Sequence, residues 1–222
     1  MLHSFIKNNL FLLIVLSSIW GSAFIAIKIA VETINPISVA STRLIMGSIV
    51  LLIYFKIKGN KFNYPIKTYV YIFLCALIGN FIPFYLISWS ELYIPSNLAG
   101  LLLSIAPIFA IVLSHLFTKD DKFNIQKFFG ISVGLIGVFF LIGVEDIFLL
   151  LRGNYFILLP KFAVILAALG YVISSIIAYN LKNINTTSLT TITTTFAALI
   201  SLPFMAIYEI NHFILPSYNS VI

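Results

Sequence analysis

A chain of 222 residues that is 61% hydrophobic and only 9% charged has too little polar surface to cover a water-soluble fold. Its formal net charge of +6 does not point to nucleic acid, because the lysines lie in short segments between apolar runs and form no basic stripe interleaved with aromatics. Cys75 is the single cysteine and sits inside an apolar run, which excludes a disulfide framework and a thiolate metal site, and no cofactor is expected.

Seven apolar runs follow one another, at about 9 to 30, 36 to 55, 67 to 89, 93 to 117, 125 to 143, 157 to 179 and 187 to 208. Each is near the roughly 20 residues that a helix needs to cross a bilayer core. Barrel strands alternate polar and apolar residues, whereas Leu10 to Leu16 and Ile131 to Ile142 are apolar on nearly every side. Helices satisfy their own backbone groups in lipid, so the expected class is an all-α integral membrane bundle. The first run follows Lys7 like a signal peptide, but it is too long for a typical h-region and leads straight into another span.

In chain order, the first run carries Trp20, Gly21 and Ser22 at its middle. There an indole N–H and a hydroxyl can face a cavity, or glycine can let a neighbouring helix approach. Lys28 is near the end of the same run and is expected to snorkel to the interface. Arg43 lies about two turns into the second run, roughly 10 Å from its end at 1.5 Å per residue. A charge there needs a partner or water. It reads either as a cavity cation that attracts a substrate carboxylate or as a structural arginine bound to carbonyls.

The third run groups Asn80, Pro83, Tyr85, Trp89 and Ser90, and Pro83 frees a backbone carbonyl for a substrate or a hinge. Trp89 suits the interfacial aromatic belt. Pro107 is expected to bend the fourth run. Gly130, Gly134 and Gly137 read as a close-packing face on the fifth. The sixth carries Tyr171, Ser174, Ser175 and Tyr179 at near-helical spacing, a second set of candidate cavity residues. The threonines between Thr186 and Thr195 can bond carbonyls one turn back.

Lys7, the set Lys56, Lys58, Lys61 and Lys67, then Lys119, Lys122 and Lys127, then Lys182 occupy alternate connections. These connections are expected to face the cytoplasm, with the N-terminus inside and residues 209 to 222 outside. The intervening connections hold Glu32, Glu91, Glu145, Asp146 and Glu209, so no carboxylate is expected in mid-membrane.

An offset of 150 sets Ile34-Asn35-Pro36-Ile37-Ser38 against Ile184-Asn185-Thr186-Thr187-Ser188 and superposes the first two runs on the sixth and seventh. Five helices separate the copies, an odd number, so the second copy runs inverted in the membrane. The expected organisation is a first five-helix repeat over 1–143, a connection over 144–156 and an incomplete second repeat over 157–222. Completing it calls for three further C-terminal helices, and a homodimer is the other way to close the bundle.

The order Trp20-Gly21-Ser22-Ala23-Phe24, Lys28, Pro36, Arg43, then Ser96-Asn97-Leu98-Ala99-Gly100, Pro107 and the glycine-spaced helix from Gly130 resembles the EamA-type family of the drug/metabolite transporter superfamily. Gly170-Tyr171 in place of the Trp-Gly pair, Thr193 opposite Arg43 and Asp121 in place of the usual glutamate depart from the family pattern. The resemblance implies a ten-helix inner-membrane transporter with a central cavity between five-helix halves, commonly an exporter of amino acids or related metabolites. The substrate-binding candidates are then Trp20, Ser22, Arg43, Asn80, Tyr85, Asn97, Tyr171 and Ser174, with Pro83 and Pro107 as hinges or kinks. Partners are a small-molecule substrate and membrane lipid, with no nucleic acid. The expected mechanism is alternating access, and the absence of a P-loop leaves a substrate or proton gradient as the energy source.

An intramembrane enzyme or a non-transporting membrane subunit is the alternative. An enzyme needs a constellation, and His3, His115 and His212 are scattered, no HExxH is present, and Asp120-Asp121 is a turn flanked by lysines.

Overall fold

The boundaries of the apolar runs carry the residues that start and stop helices, and a computed structural model shows helices between them. The structure describes residues 2–59, 62–118, 124–142, 156, 158–181 and 183–211. Asp120, Asp121, Lys119, Lys122, Glu145, Asp146, Arg152, Lys182 and His212 therefore lie outside the described residues, as does the 144–156 connection except for Phe156.

In chain order the elements are α1 (Leu2–Val31), α2 (Pro36–Ile57), α3 (Ile66–Ala76), a π-helical segment (Leu77–Phe81), α4 (Ile82–Ser90), α5 (Ser96–Leu103), α6 (Ala106–Phe117), α7 (Ile125–Ile142), α8 (Leu159–Tyr179) and α9 (Thr186–Asn211). Among the described residues, six segments are long and apolar enough to span a membrane: Leu10–Val31, Pro36–Ile57, Ile66–Ser90, Ser96–Phe117, Leu159–Tyr179 and Thr186–Tyr208. Ile125–Gly137 adds a seventh, shorter apolar helix. The described elements are all helical, and the chain is a multi-pass membrane protein.

Local chemistry explains the ends of α2 and α9. Asn35 caps α2 by accepting a hydrogen bond from the Ile37 amide at 3.0 Å, and Pro36 occupies the first turn, where its missing N–H costs nothing. Asn185 repeats the cap at the start of α9, accepting from the Thr187 amide at 2.9 Å. Gly59 ends α2 with φ at +67°, a left-handed conformation that a side chain would disfavour, and its amide bonds the Lys56 carbonyl.

Those two helices pack together as the frame of the bundle. Ser48 Oγ donates to Thr195 Oγ1 at 3.0 Å, and Ser41 Oγ reaches the Ser201 carbonyl at 3.5 Å. A Cβ on Gly47 would meet Thr194 at ordinary contact distance. As the α2 number rises, its α9 partner falls, so the helices run antiparallel. Ile37, Leu44, Ala76, Phe81, Ala197 and Ala198 form the buried cluster beside this seam. Small residues and hydroxyls draw the helices together because lipid supplies no hydrophobic drive between them. Thr191 and Thr195 return their hydroxyls to the carbonyls of Thr187 and Thr191, each at 2.7 Å, as expected of threonines in a lipid-bounded helix.

On the fifth run the expected glycine face is packed in part among the described residues. Among the described residues, an added Cβ on Gly134 would lie 2.6 Å from Ile108 Cδ1, while none comes within 4 Å of such an atom at Gly130 or Gly137.

Candidate membrane-embedded cavity

The third run changes helix type where it crosses α8. A π-helical turn over Leu77–Phe81 precedes Pro83, which has no N–H to donate into the preceding turn. Just before the π turn, the Cys75 carbonyl accepts from the side chains of Asn80 at 3.5 Å and Ser174 at 3.4 Å. Two glycines permit the crossing. A Cβ on Gly79 would lie 2.1 Å from Ser174 Oγ, and one on Gly170 would lie 2.6 Å from the Ile78 carbonyl oxygen. Gly170 stands where the offset of 150 places Trp20, so the departure from the Trp-Gly pair has a steric cause: backbone occupies the space an indole would need.

Beside this crossing lies a cavity of about 490 Å3. Its polar groups are Trp20 from α1, Arg43 from α2, Asn80 from the π turn and Tyr171 from α8, and Phe24, Ile27, Phe84, Ile87 and Leu103 supply much of the apolar wall. Arg43 is half-buried, with Cζ 4.3 Å from the Phe84 ring centroid. That cation–π contact contributes about 1 kcal/mol and holds the guanidinium at the wall. An apolar pocket with a few convergent polar groups is the usual form of a small-molecule site. A second cavity of about 200 Å3 is lined by Cys75, Asn80, Ser174, Ser175, Thr190, Thr193 and Thr194, among others.

Of the eight candidate binding residues, the structure gathers Trp20, Arg43, Asn80 and Tyr171 on the larger cavity and Asn80 with Ser174 on the smaller. Three stand elsewhere. Ser22 is exposed and bonds the Ile19 carbonyl of its own helix at 2.9 Å, and Tyr85 packs against the α2–α9 cluster. Asn97 is exposed and its side chain accepts from the Leu98 amide at 2.9 Å. Pro83 follows the π turn directly. Pro107 is the second residue of α6, past a break at Ser104 and Ile105, so both prolines mark interruptions in their spans. Among the described residues no group of three or more His, Cys, Asp or Glu side chains gathers to hold a metal ion.

Sequence reasoning missed the arrangement at the end of α1. Lys28 does not snorkel: its Nζ donates to the Glu91 carbonyl and, at 3.4 Å, to the Ile94 carbonyl. The Glu91 carbonyl caps α4 and the Ile94 carbonyl lies in the connection to α5, and such carbonyls at a helix end carry partial negative charge that draws the ammonium. Glu91, one residue beyond the Ile66–Ser90 span, is fully buried, and neither carboxyl oxygen has a hydrogen-bond partner among the described residues. Burial pushes its carboxyl up to about 8, against the opposing pull of Lys28 and Arg43. The sign of this in the sequence was an acid between Trp89-Ser90 and Leu92-Tyr93-Ile94 with no charged neighbour.

Residues 8–143 match the EamA-like transporter family. The chain is 27% identical over 156 residues to the uncharacterized transporter YoaV of Bacillus subtilis, covering 69% of this chain and 51% of that protein. It is 32% identical over 146 residues to a second transporter of that organism, YdfC, covering 65% and 47%. The inner membrane transporter YedA of Escherichia coli K12 is 28% identical over 124 residues, covering 55% and 40%. The chain thus spans about half the length of the curated relatives it matches. No solved structure matches it.

Proposed function

Because the chain belongs to the EamA-like transporter family, we propose that it takes part in carrying a small carboxylate-bearing metabolite, such as an amino acid or a related compound, across an inner membrane by alternating access. Export is the direction that the family resemblance suggests. Relatives named transporters point away from enzymatic chemistry. The observation that carries the substrate reading is Arg43: a guanidinium on the wall of an apolar cavity, held by Phe84, with Trp20, Asn80 and Tyr171 around the same space. A cation in such surroundings attracts an anionic group strongly, because little water screens it. The lysine-rich connections support an N-terminus in the cytoplasm, so that Lys28 and Glu91 lie toward the outer end of the bundle.

Counterflow into vesicles carrying the 222-residue chain and loaded with unlabelled amino acids tests this reading. Labelled substrate should accumulate, and Arg43→Ala should reduce its rate by about tenfold or more, the equivalent of losing one charged hydrogen bond. Unchanged flux would remove Arg43 from the path. A reporter placed in the 58–65 connection should be reachable only from the cytoplasmic side.

A further inference from the structure

Glu91 has the geometry of a binding site whose ligand is a single proton. Its side chain is wholly enclosed, and among the described residues no donor meets either carboxyl oxygen. The near cation from α1, Lys28, is already committed to the carbonyls of Glu91 and Ile94. From α2 comes Arg43, which acts on Glu91 through space and also lines the cavity. From α8 come Tyr171, next to Arg43 on the same cavity, and the buried Lys161 of the first turn. The adjoining α5 carries no titratable side chain. A metal cation is a poor occupant, because Lys28 and Arg43 act on the site and, among the described residues, no group of three or more His, Cys, Asp or Glu side chains gathers there. An unpaired buried carboxylate is costly, whereas a proton neutralises it without needing any further ligand.

We infer that Glu91 is a proton-binding site of the transport cycle, linked electrostatically through Arg43 to the occupancy of the cavity. The use of that proton rests on the transporter reading; its presence does not. The sign of the linkage follows from charge. An anionic group bound at Arg43 cancels the positive charge that favours ionised Glu91, so loading the cavity tightens the proton, and a bound proton in turn tightens the anion. Proton and anion are then carried together. An inward proton gradient drives uptake, and export needs an outward substrate gradient large enough to exceed it.

Infrared titration of the purified chain in lipid vesicles reads the proton without any substrate. The wild type should show a protonated carboxyl band that persists at neutral pH and disappears with a midpoint near 8. Glu91→Gln should remove that band. Arg43→Gln should move the midpoint upward by about one pH unit, a tenfold tighter proton. A second readout uses the wild type alone: an apolar carbodiimide, which attacks protonated buried carboxyls, should modify Glu91 by peptide mapping, with labelling falling about tenfold between pH 7 and 9. The proposal is overturned if no carboxyl titrates above pH 6, if the band survives in Glu91→Gln, or if carbodiimide does not label Glu91. Failure of the Arg43→Ala flux test with the band intact would instead strike the substrate reading and the linkage through Arg43, and leave the proton site standing.

Discussion

The α2–α9 pair and α1 border the same bundle but are held in different ways. Along α2 and α9, hydroxyl bonds, buried alanines and a glycine contact run the length of the seam. Along α1 the apolar side chains from Leu10 to Leu16 are exposed, and the described contacts concentrate toward its end, at Phe24, Ile27, Val31 and Lys28. In lipid an exposed leucine costs nothing, so burial alone does not seat a helix; small residues and polar anchors do. Arg43 projects from the frame and Trp20 from the less embedded wall, with the cavity between them.

The sharpest way to break this contrast is to attack the crossing that supports the frame. Gly170→Val should cost about 3 kcal/mol, since its Cβ would meet the Ile78 carbonyl oxygen at 2.6 Å. Folded yield and thermal stability in detergent measure the loss, while Gly130→Ala, with open space around it, should be silent. Lys28→Met should cost about 2 kcal/mol, because it removes a charged donor from two carbonyls, and limited proteolysis should find α1 released before α2 or α9.

A pH profile probes the Glu91 site rather than the frame. The Glu91 carboxyl is raised from 4.5 to about 8, so its contribution to stability is fully present below about 4.5 and is lost as pH rises through about 8. Thermal stability of the wild type should fall across that window, and in Glu91→Gln the fall should be much smaller. Smallest is Ser48→Ala, which deletes the hydrogen bond to Thr195. It should cost about 0.6 kcal/mol, the mean for such bonds between membrane helices, and a double-mutant cycle with Thr195→Val measures it.

Residues whose placement in lipid is expensive were the easiest to read. Arg43, Trp20, Asn80 and Tyr171 stood out as polar groups inside apolar runs, and the same expense gathers them on one cavity. Long-range geometry was harder to read. Gly79, alone in an apolar run, gives no sign that Ser174 will press against it, and Gly170 looked like a departure from a motif rather than a requirement of packing. Lys28 was read from its distance to a helix end, which says nothing of unpaired carbonyls contributed by a connection more than sixty residues away. Glu91 was hidden for a related reason: acids in connections usually meet water, and only the folded bundle closes over this one.

The proposed role of the cavity in receiving a carboxylate is tested most directly by chemistry on the substrate. Counterflow should be measured with an amino acid that the vesicles accumulate and with the same compound as its amide, each in wild type and Arg43→Ala. If Arg43 receives the carboxylate, amidation and the mutation should each lower flux about tenfold, and combining them should add little further. Full transport of the amide by the wild type, or equal sensitivity of acid and amide to the mutation, would contradict the assignment.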